Sequence, residues 1–163
     1  MIRNRLILAM AFSLLGCNGE NSSNSDNSAR NAELLILINN HKEIWENSNL
    51  ESYMFTYYAA PSDCPYADPF PPVVISVEAS EVTSVFVPDF GTYIDVGDRP
   101  TIDDIFTAMI DALSSNPMIY SESPAKPNSL PLFDSQHGFP IVYSIDHSDS
   151  PCDGTTYSIN EFQ

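Results

Sequence analysis

Between Thr101 and Ser115 the apolar residues Ile102, Ile105, Phe106, Met109, Ile110 and Leu113 fall at i, i+3, i+4, i+7, i+8 and i+11. That spacing draws one continuous stripe down a helix. Thr101 stands where an N-cap belongs, and Asp103 and Asp104 place acid in the first turn, where the helix dipole favours it. Pro117 follows the stop at Ser114-Ser115-Asn116. A second helix is expected over Ala32 to Asn47, where Leu34, Leu35, Ile38, His41 and Trp45 come close to helical spacing. Leu34 to Ile38 is apolar on every side, so a buried strand competes at its start.

Elsewhere the period shortens to two. Ser52 to Ala60 alternates Tyr53, Phe55 and Tyr57 against Met54, Thr56 and Tyr58, an aromatic-rich strand. Pro61 to Pro72 is too rich in proline for anything but a loop. Val73 to Val87 reads as a hairpin, although its link, Ala79-Ser80, lacks the Asn or Gly that tight two-residue turns favour, which leaves the register open. Asp89 to Asp98 is a loop or short strand around Tyr93 and Ile94. Met118 to Ser121, Phe139 to Asp146 and Thr155 to Phe162 complete the strands. The order α-β-β-β-α-β-β-β predicts an α+β fold, an antiparallel sheet of about five to six strands with two amphipathic helices on one face.

The first residues follow another grammar. Arg3 and Arg5, the apolar run Leu6 to Leu15, and Gly16 before Cys17 form a secretory signal, too short to serve as a transmembrane helix. Leu14-Leu15-Gly16-Cys17 resembles the lipobox of bacterial lipoproteins, which implies cleavage before Cys17 and lipid on its thiol, enough for a stable membrane anchor. Asn18, not aspartate, implies the outer membrane by the enterobacterial sorting rule. The polar segment Asn18 to Asn31 reads as a disordered tether. The expected organisation is a signal peptide at 1–16, lipidated cysteine and tether at 17–31, and one domain at 32–163.

Charge narrows the partners. Without residues 1–16 the chain keeps four basic residues (Arg30, Lys42, Arg99 and Lys126) against 22 Asp and Glu, a formal charge of −18. Nucleic acid and anionic lipid head groups are repelled, whereas cations or a basic protein are attracted. With Cys17 taken by lipid, Cys64 and Cys152 remain, each in a Pro/Asp-rich loop, and in an oxidising compartment they read as a disulfide. The competing metal or redox pair lacks a CxxC and a nearby histidine.

Candidate chemistry is sparse, and neither a catalytic residue, a metal site nor a cofactor is expected. His137 near Asp134 and Ser135, and His147 between Asp146 and Ser148, suggest a triad, but no G-x-S-x-G accompanies them. Aspartates 89, 95, 98, 103 and 104 lack the spacing of a calcium loop. Tyr53, Phe55, Tyr57 and Tyr58, with the Tyr66 to Pro72 loop, are either core or a recognition surface.

Trp45 at a helix end, the strand Tyr53-Met54-Phe55-Thr56-Tyr57, Cys64 and the strand Pro72 to Val77 form one set of motifs. Thr101 to Phe106 with Ile110 and Ala112, then Phe133-Asp134, Gly138-Phe139-Pro140 and Ile145-Asp146, form a second. In this order they resemble the DUF6174 domain of small bacterial exported proteins and lipoproteins, over roughly residues 41–162. The resemblance implies an α+β domain in the cell envelope and carries over no catalytic residue. Two departures stand out: a single Cys64 where members often show Cys-x-Cys, and Ala79-Ser80-Glu81 where the turn usually contains Gly. The reading that follows is a non-enzymatic envelope module that binds a protein or assists assembly. The alternative is a small ligand binder or hydrolase-like enzyme built around Asp134 and His137.

Overall fold

A computed structural model describes residues 22–163. The expected signal peptide at 1–16, the lipidation site Cys17 and the tether's first residues to 21 lie outside the described residues. Helix α1 (Ser22–Asn47) leads into β1 (Ser52–Pro61), β2 (Val73–Glu78), β3 (Glu81–Val87), one 3-10 turn and β4 (Thr92–Ile94). Helix α2 (Ile102–Ser114) then precedes β5 (Ile119–Ser121), β6 (Leu132–Phe133), β7 (Pro140–Asp146) and β8 (Thr155–Asn160). The strands form one antiparallel sheet in the order β4-β3-β2-β1-β8-β7-β5, with β6 paired to β7 off that path. β1 and β8 meet at the centre, which joins the chain's two halves edge to edge.

The α+β class is as expected, but the sheet has eight strands where five to six were expected. The excess comes from very short strands. β6 is two residues beside Pro131, and β4 is three residues after the turn closed by Gly91. Neither is long enough to show a period of two.

Both helices lie on one face, because both touch Tyr53. Trp45 of α1 meets its ring edge-on at 5.0 Å, and the backbone N–H of Ile102, opening α2, donates to its hydroxyl at 3.2 Å. Phe55, Ile75, Val85, Phe106, Met109 and Ile159 fill the core between the layers. The opposite face, with Met54, Thr56, Val74 and Ser76, is only half-buried.

Helix α2 begins as its sequence predicts. The Thr101 hydroxyl accepts from the Asp104 N–H at 3.1 Å, and the Asp104 carboxylate accepts the Thr101 N–H at 2.9 Å, a reciprocal capping box. Helix α1 begins ten residues ahead of the expected Ala32, so Ser22 to Asn31 is helical rather than disordered tether. The cause is remote in sequence. Arg30 donates to the carbonyls of Tyr120, Pro127 and Ser129, and the Asn31 amide donates to Asn116, so the loop after α2 holds this stretch. Among the described residues no helix is long and apolar enough to cross a membrane.

The β2–β3 turn settles its register with strained residues. Ala79 and Ser80 take φ of 51° and 64°, the left-handed pair of a type I′ turn, with Glu78 opposite Glu81. Left-handed backbone costs a non-glycine residue roughly 1–2 kcal/mol. Changing Ala79→Asn with Ser80→Gly should therefore stabilise the fold by about 1–2 kcal/mol. Urea denaturation measures this, and a neutral or negative effect would contradict the turn assignment.

Candidate functional site

Across the middle of the sheet, large side chains of the two layers interdigitate. Beyond Phe55 and Ile75 the match fails. The flank of α2 facing this part of the sheet carries Asp104, Ala108, Asp111 and Ala112, spaced i, i+4, i+7 and i+8. Two alanines and two short acids cannot reach the strands below. A groove of about 470 Å³ remains, floored by Tyr57, Tyr143 and Tyr157 from three adjacent strands. Ile105 and Ile145 add apolar lining, and Asp153 and His147 stand at the β7–β8 end. The volume lies within the ordinary range for a ligand site, roughly 300–1,000 Å³.

The tyrosines form one aromatic floor. Tyr143 stacks on Tyr157 at 4.7 Å, and Tyr57 lies 6.4 Å from Tyr157. Burial pushes the hydroxyls of Tyr57 and Tyr143 well above the ordinary tyrosine value, and their tyrosine neighbours raise them further. The Arg99 guanidinium partly offsets the rise at Tyr57; it sits over the Phe70 ring at 5.3 Å, at that end of the groove. Burial likewise raises Tyr120, and raises Tyr53 to about 12.

The acids are unequal. Asp104 is committed to the helix cap, and Asp153 accepts from the Ser148 hydroxyl at 2.7 Å. Among the described residues the Asp111 carboxylate has no hydrogen-bond partner, and Asp111 is exposed. His147 meets the Ser115 hydroxyl at 3.2 Å, tying the end of α2 to the end of β7.

An alkaline prediction follows from the buried phenols. A tyrosine whose folded value is raised binds its proton longer folded than unfolded, so its stabilising contribution is complete below about pH 10 and lost as pH rises from there. For Tyr120 and Tyr143, both almost wholly buried, the loss is about 1.4 kcal/mol per pH unit each. Stability at pH 11 should be roughly 2.5 kcal/mol below that at pH 9.5 from these two alone. Absorbance at the phenolate band should rise for these residues only with unfolding; ionisation before unfolding would contradict their placement.

The other expected residues fall elsewhere. Cys64 and Cys152 form the expected disulfide, with Cα atoms 4.5 Å apart, joining the β1–β2 loop to the β7–β8 turn. Asp134 and His137 are brought together, but as turn chemistry. The Asp134 carboxylate accepts the N–H groups of Gln136 and His137 at 3.0 and 2.6 Å, while the His137 ring lies 3.5 Å away and tilts toward Phe162. Neither lines the groove. His41 is stacked on Phe133 at 4.2 Å, and burial lowers its pKa, so it packs as a neutral ring. Of the aromatic strand, Tyr53 and Phe55 are core, whereas Tyr57 belongs to the groove.

Sequence reasoning missed Tyr143, Tyr157, Asp111 and Asp153 as a set. The available signal was the Ala108/Ala112 flank of α2, a helix face too small to fill the space against aromatic strands. Comparison with curated proteins yields no match, and neither does comparison with solved structures. A family model does match, over residues 37–163, nearly all of the folded part. The chain belongs to DUF6174, a family of unknown function.

Proposed function

We propose that this chain is a lipid-anchored module of the bacterial cell envelope that binds a partner rather than transforming a substrate, and that the groove between α2 and the sheet receives a basic segment of that partner. The observation carrying this reading is the tyrosine floor beneath an acidic, alanine-lined helix flank. Aromatic faces and carboxylates together attract a guanidinium or ammonium group, through the ring quadrupole on one side and ion pairing on the other. The surrounding charge of −18 without residues 1–16 steers cations toward it. Arg99 at the Tyr57 end leaves the acidic attraction concentrated at Asp111 and Asp153. The turn geometry of Asp134 and His137 gives the hydrolase reading no support.

The membrane address rests on Leu14-Leu15-Gly16-Cys17 and the signal before it, and Asn18 favours the outer membrane. Cys17→Ser should abolish lipid incorporation and release the protein to the soluble fraction; retention of labelled lipid would refute the anchor. For the groove, the experiment is calorimetry with a short arginine-containing peptide against the same peptide bearing citrulline. Arginine-dependent binding that weakens about tenfold in Asp111→Asn is expected, since a charge-assisted contact is worth roughly 1.5–3 kcal/mol. Equal binding of both peptides, or an undiminished Asp111→Asn variant, would overturn it.

A further inference from the structure

The disulfide gathers three acids that are far apart in the chain. Asp63 precedes Cys64, Asp153 follows Cys152, and Asp146 ends β7. One carboxylate oxygen from each lies within 4.8 Å of the other two. Such crowding of like charge is unfavourable unless something positive or a proton sits between them.

The hydrogen bonding shows where the deficit lies. Asp63 is satisfied, accepting the N–H groups of Asp153 and Gly154 at 3.2 and 3.0 Å. Asp146 is not. It is only 8% exposed, and its Oδ1 has no hydrogen-bond partner. The buried Oδ1 of Asp153 is likewise unpartnered, as is the buried Oγ of Ser62 next to Asp63 in the chain. Ser62 is held at that spot because its N–H donates to the Gly154 carbonyl, and a side chain at Gly154 would run into its Oγ. Two ionised carboxylates have no donor to share, so they do not satisfy one another. An unpaired buried carboxylate is costly, and native structures rarely leave one.

We infer that Asp63, Asp146 and Asp153 form a calcium site at the disulfide-linked end of the sheet, with Asp146 as its buried ligand. Calcium takes oxygen ligands at roughly 2.3–2.6 Å, so oxygens within about twice that distance of one another can share one ion. Three carboxylates supply the charge, and waters complete the shell from the open side lined by Ser148 and Ser150. Burial and the two neighbouring acids push the Asp146 carboxyl upward, which accords with a site wanting positive charge. The site shares Asp153 with the acidic end of the groove, whereas Asp63 and Asp146 lie outside the groove and Asp111 outside the cluster.

The test uses the full chain with its disulfide intact, melted in EDTA and in calcium, with sodium at matched ionic strength as the baseline. Sites of this class bind at roughly 0.1–1 mM, so about 5 mM calcium should raise Tm by several degrees. Calorimetry should find one calcium per chain. Asp146→Asn should lose the calcium shift while melting in EDTA at or above the parent, since it removes an unpaired buried charge. Asp153→Asn should weaken binding at least tenfold. A wild-type Tm unchanged by calcium relative to sodium would overturn the site, leaving a shared proton as the occupant. So would a calcium shift that persists in Asp146→Asn.

Discussion

Replacing Cys64 and Cys152 together with alanine is expected to lower the unfolding free energy by about 4–5 kcal/mol. The bridge spans 88 residues of sequence, so removing it restores a large loop to the unfolded ensemble. A native-state effect offsets a small part of this. The disulfide holds the loop bearing Asp63 against the turn bearing Asp153, with Asp146 beneath, and without it these like charges can move apart. Urea denaturation of the double variant gives the number; a loss below about 1 kcal/mol would mean the two loops are held by other contacts.

Gly138→Ala should cost about 4 kcal/mol, an unusually large effect for one methyl group. Gly138 has φ of +82°, which an alanine adopts only under strain, and it lies hard against α1. A Cβ there would sit 2.4 Å from the His41 carbonyl oxygen and 2.9 Å from the Ile44 Cβ. Backbone atoms cannot swing aside as a side-chain tip does, so the C-terminal end of α1 must move off the sheet, taking Trp45 from Tyr53 and Phe162. Denaturant unfolding measures the cost, and the near-ultraviolet signal of Trp45 reports the movement. A loss under about 1 kcal/mol with that signal unchanged would place α1 elsewhere.

What was legible in the sequence were features whose signal is local. The stripe Ile102 to Leu113 specified α2, its cap and its buried face, and Thr101 with Asp104 formed the expected reciprocal bonds. Alternation in Ser52 to Ala60 and Val73 to Val87 placed β1, β2 and β3, and cysteine count placed the disulfide. Illegible features depend on partners remote in sequence. Ser28 to Asn31 carries no apolar stripe, so nothing local announces a helix there; Arg30 is held by carbonyls 90 to 99 residues away. The groove was hidden because it is an absence of volume, visible only once Ala108 and Ala112 face Tyr143 and Tyr157. The aspartate cluster was hidden for a third reason. Asp63 and Asp153 sit in separate loops that pattern alone treats as solvated punctuation, and the β1–β8 pairing and the disulfide together bring them to Asp146.

On the proposed reading, the groove is where this domain meets a cationic partner segment. Site-specific photo-crosslinking in intact cells tests it most directly, with the photoreactive residue at His147 on the groove rim and, as control, at Ser76 on the helix-free face. A discrete adduct is expected from position 147, mapped by mass spectrometry to a Lys/Arg-bearing segment and diminished by Asp111→Asn, with none from position 76. An adduct of equal yield from both positions, or one from 147 mapped to an acidic or purely apolar segment, would contradict it.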